Sequence, residues 1–390
     1  MARRFWHNLP WDGQGLARAS DPTLYHLRSW SARAWRRERA PSLHGAVGFA
    51  SKFLWPLAAL GAALRFSRRI EGVAPVRLYR DCVATGATPL EAHVWRTLHA
   101  SPHPLPARAA ALLLPRLGSP EAHHLLADKL ATAAKLAEAA LTFPTLFGVL
   151  EQGKPIDFSS AALPDRPLFL KPRHGHGGRG AFALDGHAGE WRIDGQAVPM
   201  PTLLDRLQRS VRFDDLLVQE RLTASPDLVD LAVADPAPVL RIVTGRWPGA
   251  EPFVHSAMLT LGVPGQNPAH FLDGALYVPV DVSTGRMMRG IRLSRPNDRL
   301  DRLPWNGAAL KGRVLPDFGI ALAAALRAMD ALPPLPLVHW DFIPTASGPV
   351  LLEGNSSGNW IIATLPQLEG PVACDLADIL AQWVPDPTRP

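Results

Sequence analysis

Lys171 ends the apolar run Leu168-Phe169-Leu170 and is followed by Pro172-Arg173-His174 and a stretch in which Gly175, Gly177, Gly178 and Gly180 recur. Glycine accepts positive φ and lets backbone approach a ligand closely, so successive N–H groups can converge on phosphate oxygens. A lysine beside them adds a point charge. Far downstream, Asp341 follows the run Leu337-Val338-His339-Trp340, and Glu353 and Asn355 follow Val350-Leu351-Leu352. With Ser347-Gly348-Pro349 as a tight turn, these two runs form a hairpin that sets both carboxylates side by side, with Asn355 two residues on and on the same face. Hard oxygen donors completed by water and phosphate are what Mg²⁺ accepts. The two halves together point to nucleotide chemistry.

Each half alone has a plainer reading. The glycine stretch is equally a hairpin turn, Lys171 a strand-end lysine reaching solvent, and the acids an ordinary exposed hairpin. The stretch lacks the Gly-Lys-Ser/Thr of a P-loop and does not open a helix as the dinucleotide fingerprint does. His174 and His176 read as solvated or phosphate-contacting side chains. Trp340 and Trp360 read as core, with stacking on a sugar or aromatic acceptor as the alternative, and His339 as packed beside them. No Ser-His-Asp set or carboxylate pair suited to acid/base work stands out.

To position these groups the chain needs strands that end at them. Short apolar runs bounded by Gly, Pro and Asp predict strands at 168–171, 216–220, 240–244, 275–282, 337–341 and 350–353. The Ala/Leu-rich segment 318–332 predicts a helix. So does 121–150, where Leu125, Leu126, Leu130, Leu136 and Leu141 recur at helical spacing around Asp128-Lys129. The mixture is α+β, without an internal repeat. Residues 1–120 are basic, tryptophan-rich and helical in character. Pro102, Pro104, Pro106, Pro115 and Pro120 read as a linker, separating a region of residues 1–120 from a domain of residues 121–390.

With 390 residues, 47% hydrophobic and 19% charged, the chain has ample material for two or three domains. Cys82 and Cys374 give neither a disulfide framework nor a zinc cluster, so a reducing cytoplasm is expected. Arg3-Arg4 is followed by no apolar signal core, and no run of apolar residues is long enough to span a bilayer. The net charge of +6 is unevenly placed, because residues 1–80 hold fourteen Lys/Arg against four Asp/Glu. Arg33, Arg36, Arg37 and Arg39 flank Trp35, and the apolar run 53–64 leads into Arg65, Arg68 and Arg69. Such a run suits either a buried helix or a helix lying on an anionic membrane face. Nucleic acid is not expected as a partner, since no binding-fold signature or base-stacking aromatic pattern is present.

Taken in order, Asp128-Lys129, Lys171-Pro172 with its glycines, Val218-Gln219-Glu220-Arg221-Leu222, Leu240-Arg241-Ile242-Val243-Thr244, Trp340-Asp341 and Glu353-Gly354-Asn355 resemble the ATP-grasp superfamily. Over roughly residues 120–370 they are most similar to its sugar-transfer-associated branch, related to α-L-glutamate ligase-like proteins. Asp273-Gly274-Ala275 and Val280-Asp281-Val282-Ser283-Thr284-Gly285 also match that branch, whereas its Asp-Asn pair is replaced in the stretch Gln266-Asn267-Pro268-Ala269-His270. The resemblance implies an ATP-grasp fold, two α+β lobes gripping ATP, preceded by a mostly helical N-terminal region. It implies that Lys129 and Lys171 hold the ATP phosphates beneath a flap containing Gly175, Gly177, Gly178 and Gly180, and that Gln219, Glu220 and Leu222 meet adenine through backbone groups. Asp227 would bind ribose, with Asp230 equally reachable. Arg241 and Lys171 would act on the transferring phosphate, and Asp341, Glu353 and Asn355 would ligate Mg²⁺.

The implied reaction is ATP- and Mg²⁺-dependent carboxylate–amine ligation through an acyl phosphate. Its partners would be a small carboxylate and an amine, the acceptor glycan-linked, lipid-linked, an amino acid or a peptide, in surface-polysaccharide or natural-product synthesis. The setting would be cytoplasmic or peripheral at the inner membrane face, through the basic N-terminal region. A small-molecule phosphotransferase and a non-catalytic nucleotide-binding scaffold are the alternatives.

Overall fold

Prolines begin most of the N-terminal helices. The computed structural model describes residues 27, 30, 44–70, 72–98, 105–156, 163, 166–175, 177–187, 190–232, 237–266, 274–358, 360–369 and 374–384. Helices α1 (His44–Ser67), α2 (Pro75–Thr85), α3 (Pro89–Thr97) and α4 (Ala107–Leu113) are followed by a 3₁₀ turn (Leu114–Arg116), α5 (Pro120–Ala127) and α6 (Lys129–Ala137). Pro75, Pro89 and Pro120 lie in first turns, where a missing N–H forfeits no bond. Thr88 and Glu91 close a capping box on α3. The linker reading therefore fails over 105–120: Pro106 and Pro120 start helices, and Leu105, Leu113, Leu114 and Leu117 are buried. Pro102 and Pro104 lie outside the described residues, as do Arg3, Arg4, Arg33, Trp35, Arg36, Arg37 and Arg39.

The single helix expected over 121–150 is divided. Asp128 is extended and its carboxylate accepts from the Leu130 and Ala131 amides, which ends α5 and caps α6. Residues Leu146–Leu150 form strand β1 instead, paired with Leu216–Gln219.

Two antiparallel sheets follow. β1, β2 (Leu168–Pro172), β3 (Phe182–His187), β4 (Glu190–Ile193), β5 (Gln196–Val198) and β6 (Leu216–Glu220) are ordered β1-β6-β2-β3-β4-β5. Helix α7 (Met200–Ser210) covers this sheet, burying Leu203 and Leu207 against Leu168, Leu170, Phe182 and Val218. β7 (Val239–Arg246), β8 (Pro252–Gly262), β9 (Ala275–Val280), β10 (Gly290–Arg292), β11 (Arg295–Leu300), β12 (Leu337–Thr345) and β13 (Gly348–Asn355) form the second, ordered β11-β10-β9-β8-β7-β12-β13. Helix α8 (Phe318–Asp330) lies on the face that carries Leu240, Ile242, Leu259, Trp340 and Phe342. Alternation puts Val243, Met258, Tyr277 and Leu337 on the opposite face, covered by α9 (Trp360–Glu369), α10 (Leu376–Trp383) and the helices α1–α4. The N-terminal helices thus share apolar clusters with the second sheet. Cys82 and Cys374 are free thiols, and burial pushes Cys82 up to about 12.

The β12–β13 turn falls one step earlier than the sequence suggests: Thr345 pairs with Gly348, so Ala346-Ser347 is the loop and Pro349 is already in the strand. Beyond the turn, Gly354 lets β13 press against its partner. A Cβ there would meet the Trp340 ring and, at 3.0 Å, Leu126. Trp340 is fully buried and donates to Thr244 Oγ1 at 2.9 Å, so it has little room to retreat. Gly354→Ala should destabilise the protein by about 1–3 kcal/mol through overpacking, read as a lowered midpoint in chemical denaturation; an unchanged midpoint would show that the ring yields.

Candidate active site

Three neighbouring strands set the acids. Asp341 on β12 is opposite Glu353 on β13 and opposite Arg241 on β7. Arg241 Nε and Nη2 donate to the two Asp341 oxygens at 2.7 and 2.8 Å, a bidentate pair in which Asp341 is only 6% exposed. Asn355 Nδ2 donates to Glu353 Oε1 at 3.1 Å, which leaves the Asn355 carbonyl oxygen turned to other use. Among the described residues no cluster of three His, Cys, Asp or Glu side chains is disposed to hold a metal ion unaided.

The lysines arrive from two places, Lys171 from the first sheet and Lys129 from a helix packed on the second. Lys171, at the end of β2, is buried and donates from Nζ to the Leu352 carbonyl of β13 at 3.2 Å, across 181 positions of sequence. Burial, reinforced by Lys129, lowers its ammonium to about 8, while Glu353 and Asp341 work in the opposite direction. Lys129, the first residue of α6, donates to the Gly175 carbonyl at 2.8 Å and lies 3.9 Å from Glu353 Oε2. Burial lowers its pKa as well. The separated sequence segments meet across one cleft.

The loop root is held by a set of ion pairs that the sequence reading missed. Asp128, while capping α6, accepts Arg173 Nε and Nη2 at 2.9 and 2.6 Å, and Arg173 Nη1 reaches Asp215 at 3.1 Å. The Arg173 backbone accepts from the Lys129 amide and donates to the Asp215 carbonyl. Arg173 holds the Asp128 carboxyl down at about 2. His174 donates its amide to Asp214 at 2.7 Å, and its Nδ1 lies 2.8 Å from the same carboxylate. Beyond this root, Gly175, Gly177, Gly178 and Gly180 all take positive φ, with open space where Cβ atoms would stand at Gly177 and Gly178. His176 lies outside the described residues.

A family model described as sugar-transfer associated ATP-grasp matches residues 108–373, 68% of the chain. The chain belongs to this family. Its fold is accordingly the ATP-grasp fold, two α+β lobes, preceded by helices. Among solved structures it is similar to D-alanyl-alanine synthetase A from Vibrio cholerae, at 13% identity and a TM-score of 0.44, covering 68% of this chain and 66% of that one. It is also similar to an L-amino acid ligase from Bacillus licheniformis, at 14% identity and a TM-score of 0.42, covering 76% and 59%. For N5-carboxyaminoimidazole ribonucleotide synthetase in an ADP complex the values are 12% and 0.37, with 61% of this chain and 46% of the synthetase covered. No curated protein matches the chain.

In the ATP-grasp lobe formed by the first sheet, the expected hinge lies at the end of β6. Gln219 is buried, and the Glu220 amide donates to the Thr145 carbonyl at 2.9 Å. The Glu220 side chain returns the bond, accepting from the Thr145 amide at 2.8 Å, so it fastens the segment before β1. Leu222 follows the strand and is half-buried. Of the two acids weighed for ribose, Asp230 is engaged by both Arg313 terminal nitrogens at 2.8 Å, whereas the exposed Asp227 carboxylate has no partner among the described residues. Trp340 and Trp360 are core residues, the Trp360 indole donating to the Leu105 carbonyl at 2.6 Å. His339 is fully buried with neither ring nitrogen bonded, and burial, Arg241 and His255 hold it neutral, down to about 3. Asn267 to Asp273, where the branch's acceptor motif departs, lie outside the described residues.

The Lys171 ammonium has a predictable signature. Its pKa is about 8 when folded against an ordinary 10.5, so between those values the unfolded chain holds the proton and the folded one does not. This lysine therefore adds stability as pH rises through that window. Anion binding runs the other way: ATP affinity, followed by calorimetric titration, should fall as pH passes about 8. Lys171→Arg, charged throughout, should bind without that step; the same step in the variant would assign it to another group.

Proposed function

We propose that this ATP-grasp protein is an ATP- and Mg²⁺-dependent carboxylate–amine ligase. The observation that carries the reading is the convergence on one cleft of Lys171 from the first sheet with Arg241, Asp341 and Glu353 of the second sheet and Lys129 of α6, which packs on that second sheet. Three cations face two carboxylates, leaving an excess of one positive charge in a largely desolvated place. A bare dication would be repelled by that excess, while a nucleotide triphosphate carrying its own Mg²⁺ neutralises it. The donor set fits such a metal, because Mg²⁺ is commonly held by one or two carboxylates plus substrate phosphates and water. Asp341, Glu353 and Asn355 would hold it, and it would supply charge neutralisation on the transferring phosphoryl group.

Around the substrates, Lys129 and Lys171 bind phosphate oxygens and the glycine segment 175–180 covers them. Gln219, Glu220 and Leu222 offer backbone groups to adenine, and Asp227 is the better-placed acid for ribose. A substrate carboxylate oxygen bonds to the γ-phosphorus as the bond to ADP breaks, giving an acyl phosphate. The acceptor amine then attacks the acyl carbon, phosphate leaves with the bonding pair, and the amine proton passes to phosphate or solvent. Arg241, fixed by Asp341, stabilises charge on the transferring phosphate or on the acyl oxygen. No strong side-chain base is needed, which agrees with the absence of a dedicated acid/base pair. The acceptor we assign is an amine on a sugar, amino acid or peptide, glycan- or lipid-linked, used in the cytoplasm or at its membrane face.

Incubation with ATP, Mg²⁺, candidate carboxylates and hydroxylamine should yield acyl hydroxamate and ADP in equal amounts. Lys171→Ala and Asp341→Ala should lose activity by about 10²–10³-fold or more with the fold retained by circular dichroism. A phosphorylated alcohol without hydroxamate would replace the ligase reading with a phosphotransferase. Nucleotide binding without turnover on any substrate would replace it with a scaffold.

A further inference from the structure

Helix α1 is apolar on two sides. Ala58, Ala59 and Ala63 pack inward with Leu78, Cys82, Val94 and Trp95 of α2 and α3. Turned away from this contact, Leu57 is 62% exposed, Leu60 39% and Leu64 40%. At 3.6 residues per turn these three fall within an arc of roughly 60°, and Arg68 follows just past the helix end. A helix on the surface of a globular protein ordinarily presents polar groups there. From His44 to Ile70 the sequence contains no Asp or Glu, and its charges are Lys52, Arg65, Arg68 and Arg69. The three arginines are exposed, as are Arg77 and Arg80 on α2, which packs against α1. None of these five has an ion-pair partner among the described residues. No described helix is long and apolar enough to cross a membrane.

We propose that the outer face of α1 lies along an anionic lipid bilayer, with Leu57, Leu60 and Leu64 at the boundary of headgroups and acyl chains and Arg65, Arg68 and Arg69 on lipid anions. The charge pattern selects this occupant. A second copy of the chain docking through the same face would bring two sets of arginines together, with no acid in the stretch to offset them. The assignment stands apart from the ligase reading, since none of these side chains belongs to the cleft.

The test is co-sedimentation of the full chain with phosphatidylcholine vesicles, with and without phosphatidylserine. Binding should require phosphatidylserine and weaken steeply with added salt. Leu60→Glu or Leu64→Glu should abolish it, and Arg68→Ala or Arg69→Ala should each weaken it about fivefold, while ATP turnover in solution is unchanged. Failure to bind phosphatidylserine vesicles at low salt would overturn the proposal, and so would equal binding to phosphatidylcholine alone. Conversion of a dimer to a monomer by Leu64→Glu, seen by light scattering, would instead assign the face to a second copy. A drop in melting temperature of the vesicle-free Leu64→Glu protein would assign it to the chain's own packing.

Discussion

The contact on which the site depends is Lys171 Nζ to the Leu352 carbonyl, because it joins the last residues of β2 to the strand that bears Glu353 and Asn355. An ammonium so buried is held against its own solvation preference, and its depressed pKa records that opposition. The neighbouring Lys129 adds to it, and two carboxylates relieve only part. For a site kept short of negative charge, polyanionic phosphate is the natural complement. Stability is surrendered locally so that affinity is available when the ligand arrives.

Arg241 shows how sheet order makes a site. In the sequence it is one charge in an apolar strand, a hundred positions from Asp341. Only the adjacency of β7 and β12 puts the two opposite each other, and their fork-to-fork pairing then fixes the guanidinium plane. Behind this face, α8 packs against Leu240, Ile242, Trp340 and Phe342, while on the same face as the charges α1–α4 with α9 and α10 cover Met258, Tyr277, Val243 and Leu337. The strands that carry the charges are thereby packed on both faces.

The six strands and the helix over 318–332 were legible, since each is a short apolar run with glycine, proline or acid at its end. Lys171 and Glu353 were legible for the same reason, standing where such runs stop, whereas Asp341, expected at a strand end, lies within β12, which runs on to Thr345. β8 was not, because Phe253 to Thr260 is mostly buried on both faces and shows no alternation. The prolines of 106–120 were misread, since proline at a helix start and proline in a linker look alike without the helix. Asp128, Arg173 and Asp215 went unnoticed as a group because their spacings, 45 and 42 positions, carry no periodicity. The bond from the Thr145 amide to the Glu220 carboxylate was not legible either, because it depends on which strand flanks β6.

Asp128 serves two elements with one carboxylate, capping the start of α6 and gripping Arg173. Residues up to Arg173 therefore cannot swing outward without uncapping a helix whose first residue is Lys129. The lysine on α6 is in turn registered to the start of the glycine segment through the Gly175 carbonyl. Helix start and loop root thus share one origin, so a change at Asp128 or Arg173 would disturb both.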